Sequence, residues 1–255
     1  MERRDESKVR DEMTIKQAMV LAAGLGTRMR PITDTIPKPL VKIAGKPMID
    51  YTLDALVQAG VERAVVNVHH HADQMEAHLR SYRGLEILIS DERDALRNNG
   101  GGLVKGLKLL SRDPVFVMNA DLFWIGEKPG IPTNLERLAG FYDDRRMDMA
   151  MLCVELERTT GHNGKNDFSM ADDGRLTRYR DNPYNGVVYA GAFAMKPSFL
   201  DDAPDNAFNI NIYFDKAIAK SRLYGTMLDG HWLTVGTPEA VGEAEETIRN
   251  FRAFA

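Results

Sequence analysis

Residues Met19 to Leu40 read MVLAAGLGTRMRPITDTIPKPL. A short apolar run, Met19 to Ala22, stops at Gly24-Leu25-Gly26. Thr27, Arg28, Arg30 and then Pro37-Lys38-Pro39 follow. A buried strand that opens into a glycine loop presents backbone N–H groups at its exit, and α/β proteins hold phosphates in this way. Leu21, Ala22, Ala23, Gly24, Gly26 and Thr27 are therefore the candidate nucleotide-binding positions of the loop. Arg28 and Lys38 stand on either side of a proline-stiffened turn and would complete a clamp for a polyphosphate. Gly-x-Gly after a strand is also an ordinary loop. Position 29 is a methionine where a dinucleotide fingerprint needs its third glycine, and the Gly-Lys-Ser/Thr ending of a Walker loop is absent.

The chain as a whole narrows the alternatives. Its 255 residues can bury a substantial core and lie near the upper size of a single domain. Hydrophobic residues make up 44% and charged residues 27%, the balance of a soluble globular protein. A formal charge of −4 leaves no footprint for nucleic acid or an anionic membrane. Cys153 is the single cysteine, so there is neither a disulfide framework nor a cysteine zinc cluster. Met1 to Glu12 is charged and lacks the apolar segment of a signal peptide. No apolar run approaches the ~18 residues of a membrane span. These features predict a cytoplasmic protein with a flexible leader over residues 1–14 and one domain over residues 15–255.

Strand-like and helix-like segments alternate through the first half. Met48, Ile49, Leu53, Leu56 and Val57 recur at helical spacing and stop at Gly60. Val65 to Val68 reads as a buried strand, Ala72 to Tyr82 as a polar helix and Leu85 to Ile89 as another strand. A helix over Gly102 to Leu110 and the strand Val115 to Met118 follow. Strands separated by helices imply a mainly parallel, doubly wound α/β sheet, with its ligand at the carboxyl ends of the strands. The second half reads as strands over 148–155 and 186–195, with a glycine- and aspartate-rich stretch, Gly161 to Arg178, between them. Helices are expected near 135–143, 210–220 and 238–251. The economical architecture is one such sheet carrying an inserted strand pair.

Asp121 follows the apolar run Val115-Phe116-Val117-Met118 and the dipeptide Asn119-Ala120, so it falls just past the end of a buried strand. A carboxylate there costs desolvation energy unless it is paired, at a rim or on a cation. A helix-capping or turn aspartate is the alternative. Beside a phosphate clamp it is a candidate ligand for Mg²⁺, which prefers one or two carboxylates plus phosphate oxygens and waters. Asn98-Asn99-Gly100-Gly101-Gly102 is the second glycine cluster. Three glycines permit close approach of a planar base or sugar ring, which makes Asn99, Gly100 and Gly101 candidate nucleotide contacts; a flexible turn is the alternative. The consecutive His69, His70 and His71 cannot all point at one ion from a strand end, so they are not read as a metal site. One of them lining the nucleotide pocket is the functional alternative. Cys153 is read as a packing residue.

The string Gly-x-Gly-Thr-Arg-Met-x-Pro followed by Pro-Lys-Pro resembles the signature of the sugar-1-phosphate nucleotidyltransferases, and the resemblance runs from about Gln17 to Ile248. It implies a Rossmann-like fold and a reaction of a nucleoside triphosphate with a sugar-1-phosphate, with Mg²⁺ as cofactor. In the implied roles Arg28 holds the triphosphate and the leaving pyrophosphate, Lys38 bridges the two reacting phosphates, and Asp121 binds the metal. Asn119, in Asn119-Ala120-Asp121, and Asp167, in Gly164-Lys165-Asn166-Asp167-Phe168, fall to the sugar; a surface hairpin is the other reading of Asp167. Two departures stand out. Thr234 occupies the aspartate position of a Trp-x-Asp-x-Gly-Thr segment, here Trp232 to Thr237, with Asp167 or Asp215 as possible substitute carboxylates. Asn98 and Asn99 replace the acid and threonine usual before the glycines. Within the family the chain looks most like the N-acetylmuramate-1-phosphate uridylyltransferases. The alternatives are a mannose-1-phosphate guanylyltransferase, a non-catalytic nucleotide-sugar binder and a glycosyltransferase, which would usually show Asp-x-Asp at a strand end.

Overall fold

The computed structural model describes residues 14–180 and 185–254. Most of the expected leader, residues 1–13, lies outside the described residues. Strand β1 (Gln17–Leu21) leads into the glycine loop and three 3-10 turns. A small ribbon of β2 (Lys42–Ile43) and β3 (Lys46–Pro47) precedes α1 (Met48–Gln58). Then β4 (Arg63–Val68), α2 (Ala72–Ser81), β5 (Glu86–Asp91), α3 (Asn98–Leu107) and β6 (Val115–Asn119) alternate. They are followed by β7 (Leu122–Ile125), α4 (Asn134–Phe141), β8 (Met149–Val154) and β9 (Thr159–Thr160). The remainder comprises β10 (Phe168–Met170), β11 (Leu176–Arg178), β12 (Gly186–Met195), α5 (Asn211–Ala219), β13 (Leu223–Met227), β14 (His231–Thr234) and α6 (Pro238–Phe254).

The central sheet runs β11-β10-β12-β6-β1-β4-β5, with β8 also on β12 and β13 on β8. Strands β5, β4, β1 and β6 are parallel. Such strands are covered on both faces and read as unbroken apolar runs. Alternate side chains go to opposite cores: Ala18 and Val20 join α1, α2 and α4, whereas Met19 joins α3 and α5. Leu53 and Leu56 of α1 are fully buried, each worth about 1.5–3 kcal/mol of transfer free energy. Helix α1 ends where Gly60 takes φ +72°.

Beyond β6 the sheet turns antiparallel through β12, which pairs with both β6 and β8. A short β10–β11 hairpin lies within the glycine- and aspartate-rich stretch, where the sequence reading placed no strand. The short strands β2, β3, β7, β9, β13 and β14 were not anticipated from the sequence either; β7, β14 and β9 form a separate small sheet. Helix α3 is the second correction. It begins at Asn98, so the three glycines are its first turns and not a loop before it. No helix among the described residues is long and apolar enough to cross a membrane.

The order of these strands decides where a ligand can sit. The connection from β1 to β4 passes through α1 on one face, and that from β5 to β6 through α3 on the other. The winding therefore switches between β1 and β6, and a crevice opens there at the carboxyl ends of the strands.

Candidate active site

That crevice is an open cleft of about 280 Å³, lined by Leu21, Ala22, Ala23 and Gly24 after β1 and by Asn119, Ala120 and Asp121 after β6. Lys38 and Pro39 close one side, and Leu96, Asn98 and Asn99 the other. Register explains the pairing of the strand ends. Leu21 lies opposite Asn119, and the Ala120 N–H donates to the Leu21 carbonyl at 3.1 Å.

The glycine loop is braced from below. Gly26 has φ +64°, and a Cβ there would sit 2.9 Å from Thr33 Cγ2 and 3.0 Å from Lys38 Cβ, so only glycine fits. The buried Thr33 hydroxyl donates to the Gly26 carbonyl at 2.8 Å, and His70 Nε2 meets the Thr33 carbonyl at 2.8 Å. Met29 plugs the third apolar cluster against Leu233 and Val235. Position 29 is therefore an anchor, which accounts for a methionine where a dinucleotide loop has glycine. Thr27 and Arg28 stay exposed on the 3-10 turn. The Arg28 guanidinium lies over Gly236, 3.6 Å from the position of an added Cβ, and has no acidic partner among the described residues.

Lys38 and Asp121 are 83 residues apart in sequence, and the fold joins them in an ion pair of 2.6 Å. Lys38 is the more buried, with its side chain 12% exposed against 37% for Asp121, which looks into the cleft. Thr234 of β14 stands opposite Leu122, and the following Val235 N–H reaches the Asp121 carbonyl at 3.4 Å. The position that carries an aspartate in the resemblance is thus adjacent to Asp121 and holds a neutral hydroxyl.

The two expected substitute carboxylates each have a partner within the protein. Asp215 on α5 is tied to Arg178 at 2.8 Å. Asp167 accepts the Tyr189 N–H at 2.9 Å. Among the described residues no three His, Cys, Asp or Glu side chains cluster as a metal site. Tyr189 links the two regions electrostatically: burial pushes its phenol far above the ordinary tyrosine range, with smaller contributions from Cys153, Asp167 and Asp121. The Cys153 thiol is likewise pushed up by burial, as fits a packing residue.

The second glycine cluster departs from expectation. A Cβ on Gly100 would run into the Phe208 ring, and one on Gly101 into the Asn206 carbonyl. The close approach these glycines permit is that of the protein's own 206–208 segment, which replaces the expected base or sugar ring. Three backbone donors of this helix start are also spent. Arg97 N–H goes to Glu92, Asn99 N–H to the Asn98 side chain, and Gly100 N–H to the Phe208 carbonyl. Asn99 Oδ1 accepts the Ile210 N–H, so that side chain too is committed, although Asn99 still lines the cleft. A helix N-terminus with most of its donors taken is a weaker phosphate site. The loop side carries Arg28 and Lys38, while the α3 side presents Leu96 and Asn98 to the cleft.

Thr33, Asn67, Glu92 and Leu96 were missed in the sequence. Asn67, inside the apolar run 65–68, was the one visible signal: a polar residue in a buried strand needs a partner. Of the histidines, His69 Nδ1 meets the Glu92 carbonyl at 2.7 Å and His70 braces the loop through Thr33, so both support the walls.

Comparison with known proteins follows this geometry. The chain is 43% identical over 238 residues to an N-acetylmuramate alpha-1-phosphate uridylyltransferase of Caulobacter vibrioides, covering 91% of this chain and 97% of that one. It is 32% identical to the protein of the same name from Neisseria meningitidis serogroup B, over 90% of this chain and 96% of that one. The structure matches a UDP-glucose pyrophosphorylase solved with UDP-glucose at a TM-score of 0.73 and 21% identity, covering 92% and 99% of the two chains, a likeness of fold. A sequence profile described as nucleotidyl transferase matches residues 17–250. With its parallel sheet, its switch-point cleft and these matches, the chain belongs to the nucleotidyl transferase family.

Proposed function

We propose that the protein transfers a uridylyl group from UTP to N-acetylmuramate-1-phosphate, giving UDP-N-acetylmuramate and pyrophosphate, in the cytoplasmic recycling of cell-wall sugars. The observation that carries a nucleotidyl transfer is the convergence of Lys38, Asp121 and the glycine loop on one cleft at the β1–β6 switch. The choice of base and sugar rests on the 43% identity to the Caulobacter uridylyltransferase along nearly the whole of both chains.

An oxygen of the sugar phosphate attacks the α-phosphorus. The bond from that phosphorus to the β-phosphate oxygen breaks, and pyrophosphate leaves with the electron pair. The nucleophile is already an anion, so no general base is needed. What remains is to hold two polyanions in line and neutralise developing charge. Backbone N–H groups of the Ala23–Thr27 loop would cradle the triphosphate. Arg28, without a protein carboxylate of its own, would take the departing pyrophosphate. Lys38, at the cleft wall, would bridge the reacting phosphates. Asn119 and Asp167 remain the candidates for the sugar.

The donor set fits Mg²⁺ of the kind completed by substrate: a single carboxylate at the rim of an open cleft, with a hydroxyl residue beside it. Asp121, with Thr234 nearby, would hold the ion. When bound, Mg²⁺ supplies positive charge to the phosphates.

Pyrophosphate release across a grid of nucleoside triphosphates and sugar-1-phosphates tests this reading. Strongest turnover with UTP and N-acetylmuramate-1-phosphate is expected, and a strongest signal with GTP and mannose-1-phosphate would overturn the substrate assignment. Thr234 favours one other reading, a nucleotide-sugar binder without turnover. A blank grid from protein that still binds UDP-sugar would establish it.

A further inference from the structure

Glu92 is fully buried and has no cationic partner among the described residues, and Asn67 beside it is 3% exposed. We infer that these two side chains are positioning residues that hold the two walls of the nucleotide cleft in register through a chain of hydrogen bonds that converges on the Glu92 carboxylate from both walls; this rests on the function proposed above. The chain starts in the glycine loop. Ala22 N–H donates to Asn67 Oδ1 at 2.6 Å, Asn67 Nδ2 donates to Glu92 Oε1 at 2.8 Å, and Arg97 N–H donates to Glu92 Oε2 at 3.1 Å. One end is thus the loop wall and the other the start of α3, next to Leu96 and Asn98.

The direction of the chain is imposed from both ends. Ala22 and Arg97 each offer a backbone N–H, which can only donate. Asn67 must therefore turn its carbonyl to Ala22 and its NH₂ to Glu92. Residue 92 then faces two donors, and a carboxylate accepting at both oxygens is the group that satisfies them. A buried carboxylate without a cation is retained only where such bonds compensate it. The third glycine of the cluster serves the same chain. A Cβ on Gly102 would lie 2.7 Å from both Asn67 Nδ2 and Glu92 Oε1, so glycine keeps the space in which they meet. Neither Asn67 nor Glu92 lines the cleft, so their effect on substrate must pass through the position of the walls.

The polarity argument yields a swap. In Glu92→Gln one of the two donors meets an NH₂ group. In Asn67→Asp two carboxylates face each other. In the double variant Asn67→Asp/Glu92→Gln all three bonds can re-form: Asp at 67 accepts from Ala22 and from the Gln NH₂, and the Gln carbonyl accepts from Arg97. The net charge is that of the wild type.

The test is UTP binding by calorimetry together with steady-state pyrophosphate release, at a temperature well below the melting point of each variant. Each single variant should weaken UTP binding by about tenfold or more, the loss expected from one unsatisfied buried polar contact. The KM for the sugar-1-phosphate should move by less than about threefold, a split that general destabilisation would not produce. The double variant should return UTP binding to within about threefold of wild type. Single variants that bind UTP normally, or a folded double variant as weak as the singles, would overturn the inference. Should the single variants not fold, the double variant decides alone. Wild-type protein that binds no nucleoside triphosphate would instead bring down the proposed function.

Discussion

The two walls of the cleft are built from similar sequence and do opposite work. Each begins at the end of a parallel strand and runs through glycines into a helical turn. On the loop wall, Gly24 and Thr27 are exposed, and Arg28 has no carboxylate partner among the described residues. On the α3 wall the N–H groups of Arg97, Asn99 and Gly100 are consumed by Glu92, Asn98 and Phe208. Glycine means different things in the two places. A Cβ on Gly24 would meet nothing, whereas one on Gly100 would strike Phe208. A glycine cluster marks a close approach, and only the packed chain shows whether ligand or protein approaches.

The strongest way to break this contrast is to remove a charge from the loop wall. Lys38→Ala should fold normally and lose about 10²–10³ in turnover, the usual cost of a missing transition-state donor. Pyrophosphate-release kinetics with circular dichroism on the same sample checks both halves, and near-normal turnover would remove Lys38 from the chemistry. Arg28→Ala should lose about tenfold to 10², with an unchanged melting temperature because the side chain is exposed.

A matched pair of glycine substitutions separates the walls by their stability. Gly100→Ala overpacks the α3 wall and should cost about 1–3 kcal/mol, lowering the melting temperature by ~2–4 °C for each kcal/mol. Gly24→Ala should leave the melting temperature unchanged and weaken nucleotide binding, because Gly24 lines the cleft. Equal thermal shifts in the two variants would erase the distinction.

The smallest expected effect concerns β14, which backs the loop wall through Leu233. Burial, aided by Arg158, holds the His231 imidazole below its ordinary range. The folded state therefore binds fewer protons than the unfolded state around the ordinary histidine pKa, and stability rises with pH there. Its contribution is complete above about pH 6.5 and is lost as the pH falls. Thermal melts from pH 7.5 to 5.5 should show a shallower acid decline in His231→Gln than in wild type.

Much of this was readable along the chain because it is local. The apolar runs ending at Leu21, Val68 and Asn119 announce parallel strands, since a strand covered on both faces cannot alternate. Asp121 was visible as a charge placed just beyond such a run, where burial would otherwise penalise it, and Arg28 and Lys38 as cations on either side of a proline-stiffened turn. The second half was harder to read, because β7, β9, β10, β11 and β14 run to only two to four residues, too short to show a period.

The sequence by itself determined the α/β class, the strand-to-glycine-loop pattern of residues 19–40 and the residues available for chemistry, because periodicity and residue type act over a few neighbours. Tertiary structure alone decided that Lys38 meets Asp121 across 83 residues, and that Asp215 is taken by Arg178. It also decided that the Gly100 and Gly101 faces belong to the 206–208 segment, and that Asn67 and Glu92 join beneath the cleft. Each of these depends on which strand lies beside which, and strand order follows from packing the whole chain around two cores.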